Sequence, residues 1–170
     1  EFCGKGFAGE LLQNGFKNII NQVGMYLCLS VHTLSGQNNP NIVRISDDDL
    51  EEWSRVCELG FGKPSELPAL RYWIHDRECS FYAYKIDGKI VATALAHNKR
   101  GHCGIHEVAT LQDYRGKGIC TSLITRVIDD AKNNGARMVS LQASEAGAPV
   151  YERLGMKKSS IIHSWINLNH

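Results

Sequence analysis

The stretch Thr110-Leu-Gln-Asp-Tyr-Arg115-Gly116-Lys117-Gly118-Ile119-Cys120 constrains the fold more than any other part of the chain. A strand-like run ends at its start and an amphipathic helix begins near Gly118, so the stretch is a glycine-containing turn between a strand and a helix. Such a turn presents successive backbone N–H groups at the positive end of a helix dipole, where anions bind. Gly116 and Gly118 permit close approach of a ligand, and Arg115 and Lys117 add positive charge. The pattern predicts a pyrophosphate cradle.

Two better-known phosphate motifs do not fit this stretch. The Walker pattern GxxxxGK[ST] is absent, and the third glycine of a GxGxxG dinucleotide fingerprint would fall at Thr121. Taken alone, a strand–GxG–helix turn is explained equally well by a purely structural role. The rest of the chain has to decide between the two interpretations.

The flanking sequence predicts a mixed α/β fold. Residues 80–86, the turn Asp87-Gly88 and residues 89–96 form a hairpin, because Asp-Gly tolerates the positive φ of a type I′ turn. Around it we predict strands at 41–45, 104–111, 138–143 and 160–168, and helices at 46–62, 64–75, 118–134 and 148–154. Ser46 is the expected cap of the first of these helices, and Gly60 and Gly62 are expected to end it. This order predicts a mixed, mostly antiparallel sheet with helices on both faces.

The first 40 residues repeat a pattern seen at the end of the chain. Leu11 to Gly15, followed by an apolar run over 25–31, resembles the segment before Gly155, followed by the run over 161–168. In both segments the pattern predicts a helix, a glycine that ends it, and a strand. Between the first segment and the rest of the chain, residues 36–40 form a polar, turn-rich linker candidate. Chance explains the similarity as well as a second explanation, that the chain begins with the tail of a second, similar unit.

At the glycine turn the chain resembles the GNAT acyltransferase superfamily, whose acetyl-CoA loop reads Q/R-x-x-G-x-G/A. Arg115, Gly118 and Cys120 occupy the three defined positions, and Cys120 departs from the usual Gly or Ala. The superfamily also places an Asn after the next strand and, seven residues later, a Tyr followed by x-x-x-G-F. Here Ser144 replaces the Asn, Tyr151 is present, and Met156 replaces the Phe. The resemblance covers residues 41–168, so we expect a GNAT domain at 41–170 and an extension at 1–40.

The resemblance implies that the strands at 104–111 and 138–143 splay apart around the pantetheine of acetyl-CoA. The implied cofactor-binding residues are Val108, Ala109, Thr110, Arg115, Gly116, Lys117, Gly118, Ile119, Cys120, Thr121, Ser144 and Tyr151. It also implies that Tyr151 is the general acid that protonates the departing thiolate, and a phenol with a reference pKa of ~10 suits a thiol at ~8.5. The alternative is a Tyr151 that only packs against the cofactor.

Two residues are candidates for the general base. Glu107 and His106 adjoin the strand that would line the acyl group, and we favour Glu107. Regular alternation along the strand would place His106 on the side of Val108 and Glu107 on the other. The acceptor pocket is expected to draw on aromatic residues, most of which are also candidates for the core: Trp53, Phe61, Tyr72, Trp73, Tyr82 and Tyr84.

Composition narrows the class of partner. The formal charge of +1 gives no electrostatic argument for nucleic acid or an anionic membrane, and no apolar run reaches bilayer length. Six cysteines without CxxC pairing and seven histidines without ligand spacing predict reduced thiols, no metal site and a cytosolic protein. We therefore predict an acetyl-CoA-dependent N-acetyltransferase acting on a small-molecule or peptide amine, with a homodimer as an analogy-based expectation. The alternative is a non-catalytic acyl-CoA sensor or interaction module.

Overall fold

A single seven-stranded sheet organises the computed structural model, which describes residues 5–31, 33 and 38–167. The sheet has the order β2-β3-β4-β5-β6-β1-β7; β5 and β6 are parallel, and every other neighbouring pair is antiparallel. The strands are β1 (Phe16–Cys28), β2 (Ile42–Arg44), β3 (Cys79–Ile86), β4 (Lys89–Lys99), β5 (His102–Thr110), β6 (Met138–Ala143) and β7 (Lys157–Asn167). The predicted mixed, mostly antiparallel sheet is confirmed.

Five α-helices pack around this sheet in the described residues: α1 (Lys5–Gln13), α2 (Leu50–Phe61), α3 (Leu67–Trp73), α4 (Ile119–Asn133) and α5 (Ala148–Arg153). The Ser46 side chain makes no capping hydrogen bond, so its predicted capping role is wrong, and a 3₁₀ turn at Asp47–Asp49 leads into α2 instead. Gly60 lies inside α2, and Gly62 in the left-handed conformation (φ 68°) ends the helix.

Alternate residues of the central strands pack into two separate hydrophobic cores. Ala92, Ala94 and Ala96 of β4 belong to the first core cluster, which contains the buried faces of α4 and α5. Leu95, between Ala94 and Ala96, belongs to the second core cluster, which contains the buried faces of α2 and α3. Because successive side chains of a strand point to opposite faces, α4 and α5 cover one face of the sheet and α2 and α3 cover the other.

The amino-terminal segment is part of the same sheet. Strand β1 starts at Phe16, nine residues before the predicted strand at 25–31, and it lies between β6 and β7. Residues 38–40 of the linker candidate carry no helix or strand, while residues 36 and 37 and Leu168 lie outside the described residues. The hairpin prediction is confirmed, since Asp87 (φ 50°) and Gly88 (φ 78°) form the turn between β3 and β4.

Helix α2 and strand β5 approach each other at a pair of small residues. A Cβ built on Gly60 would lie 2.6 Å from the Cβ of Ala109, closer than two carbon atoms can pack without a shift. The absence of a side chain at Gly60 therefore sets the spacing between the helix and the strand.

We expect Gly60→Ala to lower the free energy of unfolding by about 1 kcal/mol or more, because the overpacking cost of about 1–3 kcal/mol exceeds the gain in helix propensity. Urea unfolding measures this change. Gly9→Ala is the matched control, since a Cβ at this position in α1 meets nothing within 4 Å and should not destabilise. The double variant Gly60→Ala/Ala109→Gly should recover stability. Wild-type stability in Gly60→Ala would contradict the close contact.

Candidate active site

Strands β5 and β6 separate halfway along their length. They pair from His102 opposite Met138 to Ile105 opposite Leu141, and the pairing ends there although β5 continues to Thr110. A β-bulge causes the separation: β4 residue Thr93 pairs with Ala109, but Leu95 pairs with His106, so β5 carries one extra residue. The strands thus open a cleft beside backbone groups of β5 that have no ladder partner on the β6 side.

The bulge is centred on Glu107, whose backbone lies in the left-handed region (φ 49°). The Glu107 carbonyl accepts a hydrogen bond from the Thr93 hydroxyl at 2.8 Å, which anchors the bulge to β4. A non-glycine residue in this region is uncommon and costs conformational energy, so its persistence points to a functional constraint.

The bulge overturns the expected alternation of side chains. Ile105 and Val108 both pack against the first core cluster, three residues apart. The His106 ring stacks over Gly104, where a built Cβ would lie 2.7 Å from its Nε2, so His106 lies on the face opposite Ile105. His106 therefore does not share the side of Val108, and that expectation is wrong.

Both base candidates lie on the face covered by α2. Burial raises the pKa of the Cys57 thiol on α2, and its Sγ lies 3.9 Å from the Glu107 carbonyl oxygen, so the backbone of Glu107 lies against α2. Burial also lowers the pKa of His106, with smaller effects from His97 and His102, so its imidazole is neutral at pH 7. The bulge thus brings both groups to one face beside the cleft.

The glycine turn after β5 leaves open space above its backbone. A 3₁₀ turn at Gln112–Tyr114 leads into Gly116 (φ 74°) and Gly118 (φ 77°), and Gly118 is the N-cap of α4. A Cβ built on either glycine meets nothing within 4 Å. The first N–H groups of α4 have no acceptor within the helix and face this space, so the turn can receive an anionic group.

Arg115 holds the turn in place through two backbone carbonyls. Its Nε donates to the Thr110 carbonyl at 3.0 Å, and its Nη2 donates to the Gly60 carbonyl at 3.1 Å. The side chain therefore ties the turn to the ends of β5 and α2 in addition to supplying charge. The ammonium of Lys117 lies 5.3 Å from the centre of the Tyr114 ring and stays exposed.

Tyr151 lies buried beside the start of α4. It is 7% exposed, and the Cys120 thiol lies near its hydroxyl. Burial raises the pKa of Tyr151, and Cys120 raises it further, so the phenol stays protonated at neutral pH. Burial likewise raises the pKa of Cys120 to about 11. Cys120 of the glycine-turn motif thus lies beside the candidate general acid.

The remaining predicted cofactor residues fall around the same cleft. The Ile119 side chain is buried in the first core cluster and Ala109 against Gly60, so these two residues can offer a ligand only backbone groups. Thr110 and Thr121 are half-buried. The Ser144 hydroxyl accepts the Gly147 N–H at 3.1 Å and keeps its own proton to donate.

A second cavity opens on the face that carries His106. It measures about 500 Å³ and its lining includes Tyr26, His106, Ser140, Gln142, Ser160 and Ile162. Residues of β1 and β7 form one side of this cavity. Two of them, Gly24 and Tyr26, were not predicted to belong to any site. The sequence signal for this strand was weak because β1 lacks regular alternation of apolar and polar residues over its first half.

Five of the six aromatic residues expected at an acceptor pocket divide into two groups, and the sixth, Tyr84, is half-buried with its hydroxyl accepting hydrogen bonds from Asn39 and Asn41. Trp53 and Tyr82 are buried, and the Trp53 Nε1 donates to the Tyr82 carbonyl at 2.8 Å. Phe61, Tyr72 and Trp73 are exposed on α2 and α3. Only the second group can contact a ligand without rearrangement of the core.

Two features are absent from the described residues, a metal-binding cluster and a membrane-spanning helix. No group of three or more His, Cys, Asp or Glu among them could hold a metal ion, and the five cysteines that the structure describes are free thiols. None of the described helices is long and apolar enough to cross a membrane.

Residues 47–156 match the family model described as "Acetyltransferase (GNAT) family". Among curated relatives, N-alpha-acetyltransferase 30 of Schizosaccharomyces pombe is 31% identical over 124 residues, which cover 67% of this chain and 81% of that protein. An uncharacterised N-acetyltransferase of Methanocaldococcus jannaschii is 30% identical over 107 residues, 56% of this chain. The chain spans about half of that protein, 47% of its length.

Solved structures share the fold at lower identity. A GCN5-related N-acetyltransferase from Sphaerobacter thermophilus superposes with a TM-score of 0.74 and 22% identity, over 95% of this chain and 55% of that chain. The ribosomal-protein-S18-alanine N-acetyltransferase of Escherichia coli superposes with a TM-score of 0.66 and 16% identity, over 76% of this chain and 94% of that chain.

Proposed function

The chain belongs to the acetyltransferase (GNAT) family, and we propose that it transfers the acetyl group of acetyl-CoA to a primary amine. The observation that carries the proposal is the cleft between β5 and β6, which opens beside the glycine turn and Tyr151. A structural turn alone has no need of a strand pair that separates next to it. The conjunction therefore favours a ligand-binding role for the turn.

The residues around the cleft fit acetyl-CoA. The open N–H groups over 116–121 suit its pyrophosphate, and unpaired backbone groups of Val108, Ala109 and Thr110 suit the amide-containing pantetheine arm. Ser144 can donate a hydrogen bond to the same arm. When bound, acetyl-CoA supplies the acetyl group as an activated thioester.

Tyr151 is the proposed general acid. Its hydroxyl lies near the start of α4, and burial keeps the phenol protonated over the neutral range, so it carries a proton that a departing thiolate can accept. The proton can then be donated without prior ionisation of the phenol.

Glu107 is the proposed general base, acting directly or through a water molecule. The strained bulge that carries it lies against Cys57 of α2, on the face where the His106 cavity opens. The cofactor turn lies at the start of α4, and α4 covers the opposite face. An amine can therefore approach from the α2 side while the acyl donor enters from the other.

A peptide α-amine is the proposed acceptor class. Two relatives are named N-alpha-acetyltransferases, one from Schizosaccharomyces pombe and one from Arabidopsis thaliana. The open cavity beside His106 and the exposed aromatic side chains of Phe61, Tyr72 and Trp73 offer both polar and apolar contacts to an extended peptide. A small-molecule amine is the alternative that an acceptor screen distinguishes.

Calorimetric titration with acetyl-CoA tests the cofactor site. We expect micromolar binding by the wild-type chain and its loss in Gly118→Trp, because the indole would fill the space above the turn. Gly135→Trp is the matched control: Gly135 also has a positive φ (83°) and open surroundings but lies at the opposite end of α4, about 22 Å away. Equal binding by both variants, or none by the folded wild type, would overturn the proposal.

Tyr151→Phe tests the general acid. We expect kcat to fall by about 10²-fold or more with little change in acetyl-CoA affinity, because the phenol donates its proton only as the thiolate departs. Steady-state kinetics with an N-terminal peptide library, together with calorimetry, separates the two quantities. If kcat is unchanged, Tyr151 only packs against the cofactor and another group supplies the proton.

Paired substitutions test the general base. Glu107→Gln should lower kcat by about 10²-fold, whereas His106→Gln should leave it within about threefold. The pH profile gives a second readout: a His106 base would make activity fall with decreasing pH only below its lowered pKa, and His106→Gln would remove that fall. Loss of activity in His106→Gln but not in Glu107→Gln would transfer the role to the imidazole.

A further inference from the structure

An internal pseudo-twofold axis relates the two ends of the chain. Helix α1 is followed by Gly15 (φ 78°) and β1, and helix α5 is followed by Gly155 (φ 84°) and β7. Strands β1 and β7 pair in antiparallel orientation, and Gln22 lies opposite Ile162. Each of these two residues lies seven positions after its glycine (15 + 7 = 22 and 155 + 7 = 162), as a twofold axis through this pair requires.

The irregularities of the two strands obey the same symmetry. The β1–β7 register shifts once where β1 carries the extra residue Ile19, and once where β7 carries the extra residue Ser159. Both lie four positions after the glycine of their own segment. Two matched bulges and two matched left-handed glycines are hard to reconcile with a chance similarity of helix, glycine and strand.

The symmetry is broken at the outer edge of β7. Strand β1 is paired on both edges, with β7 on one side and with β6 on the other, where its residues 23–28 face Ala143 to Met138. The equivalent stretch of β7 begins at His163, and β7 is the last strand of the sheet, so no described strand pairs with residues 163–166 on that side. Long unpaired edges are uncommon in native proteins because they invite further strand pairing.

Around this edge, two residues have buried counterparts in the other half and two further apolar side chains are exposed. Trp165 corresponds to Met25, each ten positions after its glycine; Met25 is 1% exposed in the first core cluster, whereas Trp165 is half-exposed. On α1, Phe7 is 50% exposed and Leu12 is 60% exposed. Ala8 is half-exposed, while its counterpart Ala148 is buried. The surface formed by α1 and β7 therefore lacks the cover that α4 and β6 give to α5 and β1.

We propose that α1 and β1 are the closing helix and strand of a second unit of this fold, which precedes α1 in the natural polypeptide and docks on the outer edge of β7. Its counterpart of β6 pairs with the outer edge of β7 over residues 163–166, and its counterpart of α4 covers α1. A second copy of this chain could not supply that strand, because its β6 is already paired on both edges. The Sphaerobacter structure, which is longer, superposes on 95% of this chain and so shares the α1–β1 segment.

The second unit differs from the unit described here at the position of the proposed general acid. Leu11 stands four positions before Gly15, where Tyr151 stands four positions before Gly155. The second unit thus has no phenol at this place in its closing helix. We expect acetyl transfer that depends on a tyrosine acid to reside in the unit described here.

The first test compares the natural-length polypeptide with the 170-residue chain. Intact mass should show a natural polypeptide longer by more than about 100 residues, the usual minimum for such a unit. Hydrogen exchange should be about 10²-fold slower over 163–167 in the longer polypeptide than in the 170-residue chain. A natural polypeptide that begins within residues 1–4, or equal exchange in both, would overturn the proposal.

The second test asks whether Trp165 contacts the docked unit. In the natural-length polypeptide, Trp165→Asp should remove the slow exchange over 163–167, while Trp73→Asp on the distant helix α3 should leave it unchanged. Circular dichroism confirms that both variants remain folded. If the 170-residue chain sediments as a dimer with 163–167 already protected, a second copy occupies the edge and the proposal fails. Neither test measures acetyl transfer, so the outcome is independent of the proposed function.

Discussion

The separation of β5 from β6 is the constraint on which the rest of the site depends. A sheet normally satisfies every interior backbone group through its ladder, so an opening inside it needs a local cause. The extra residue at Glu107 supplies that cause, and the Thr93 hydroxyl stabilises it from the neighbouring strand. Without the bulge the two strands would continue to pair, and Val108 to Thr110 would have no free backbone groups to offer a ligand.

The two faces of the sheet carry different parts of the candidate site. Helix α4 brings its N-terminus, the glycine turn and the buried Tyr151–Cys120 pair to the cleft on one side. Helix α2 and the groups at the bulge border it on the other side, where His106 opens onto a cavity. Under the proposed function, the acetyl donor and the amine acceptor would approach the cleft from opposite faces of the sheet. Each would be held by elements that also form a separate hydrophobic core.

Much of the fold could be predicted because its signals are local. Asp87-Gly88 specifies a tight turn, the apolar face of α4 repeats at helical spacing, and β6 was located to the residue. The candidate site was only partly predictable. Nothing in the sequence marks Glu107 as a residue with positive φ, and a single extra residue reversed the expected orientation of His106. Cys120 could be placed in the motif, but its position beside Tyr151 depends on the packing of α4 against α5.

The contact between Gly60 and Ala109 has a consequence for how this protein can diversify. Any larger residue at either position would push α2 away from β5 and, through the Arg115 bridge, disturb the glycine turn. The helix that borders the proposed acceptor side is therefore held at a fixed distance from the strand that borders the proposed donor side. Changes in the exposed residues of α3 and in the connection after Gly62 leave this contact intact, so these are the positions at which we expect substrate range to vary.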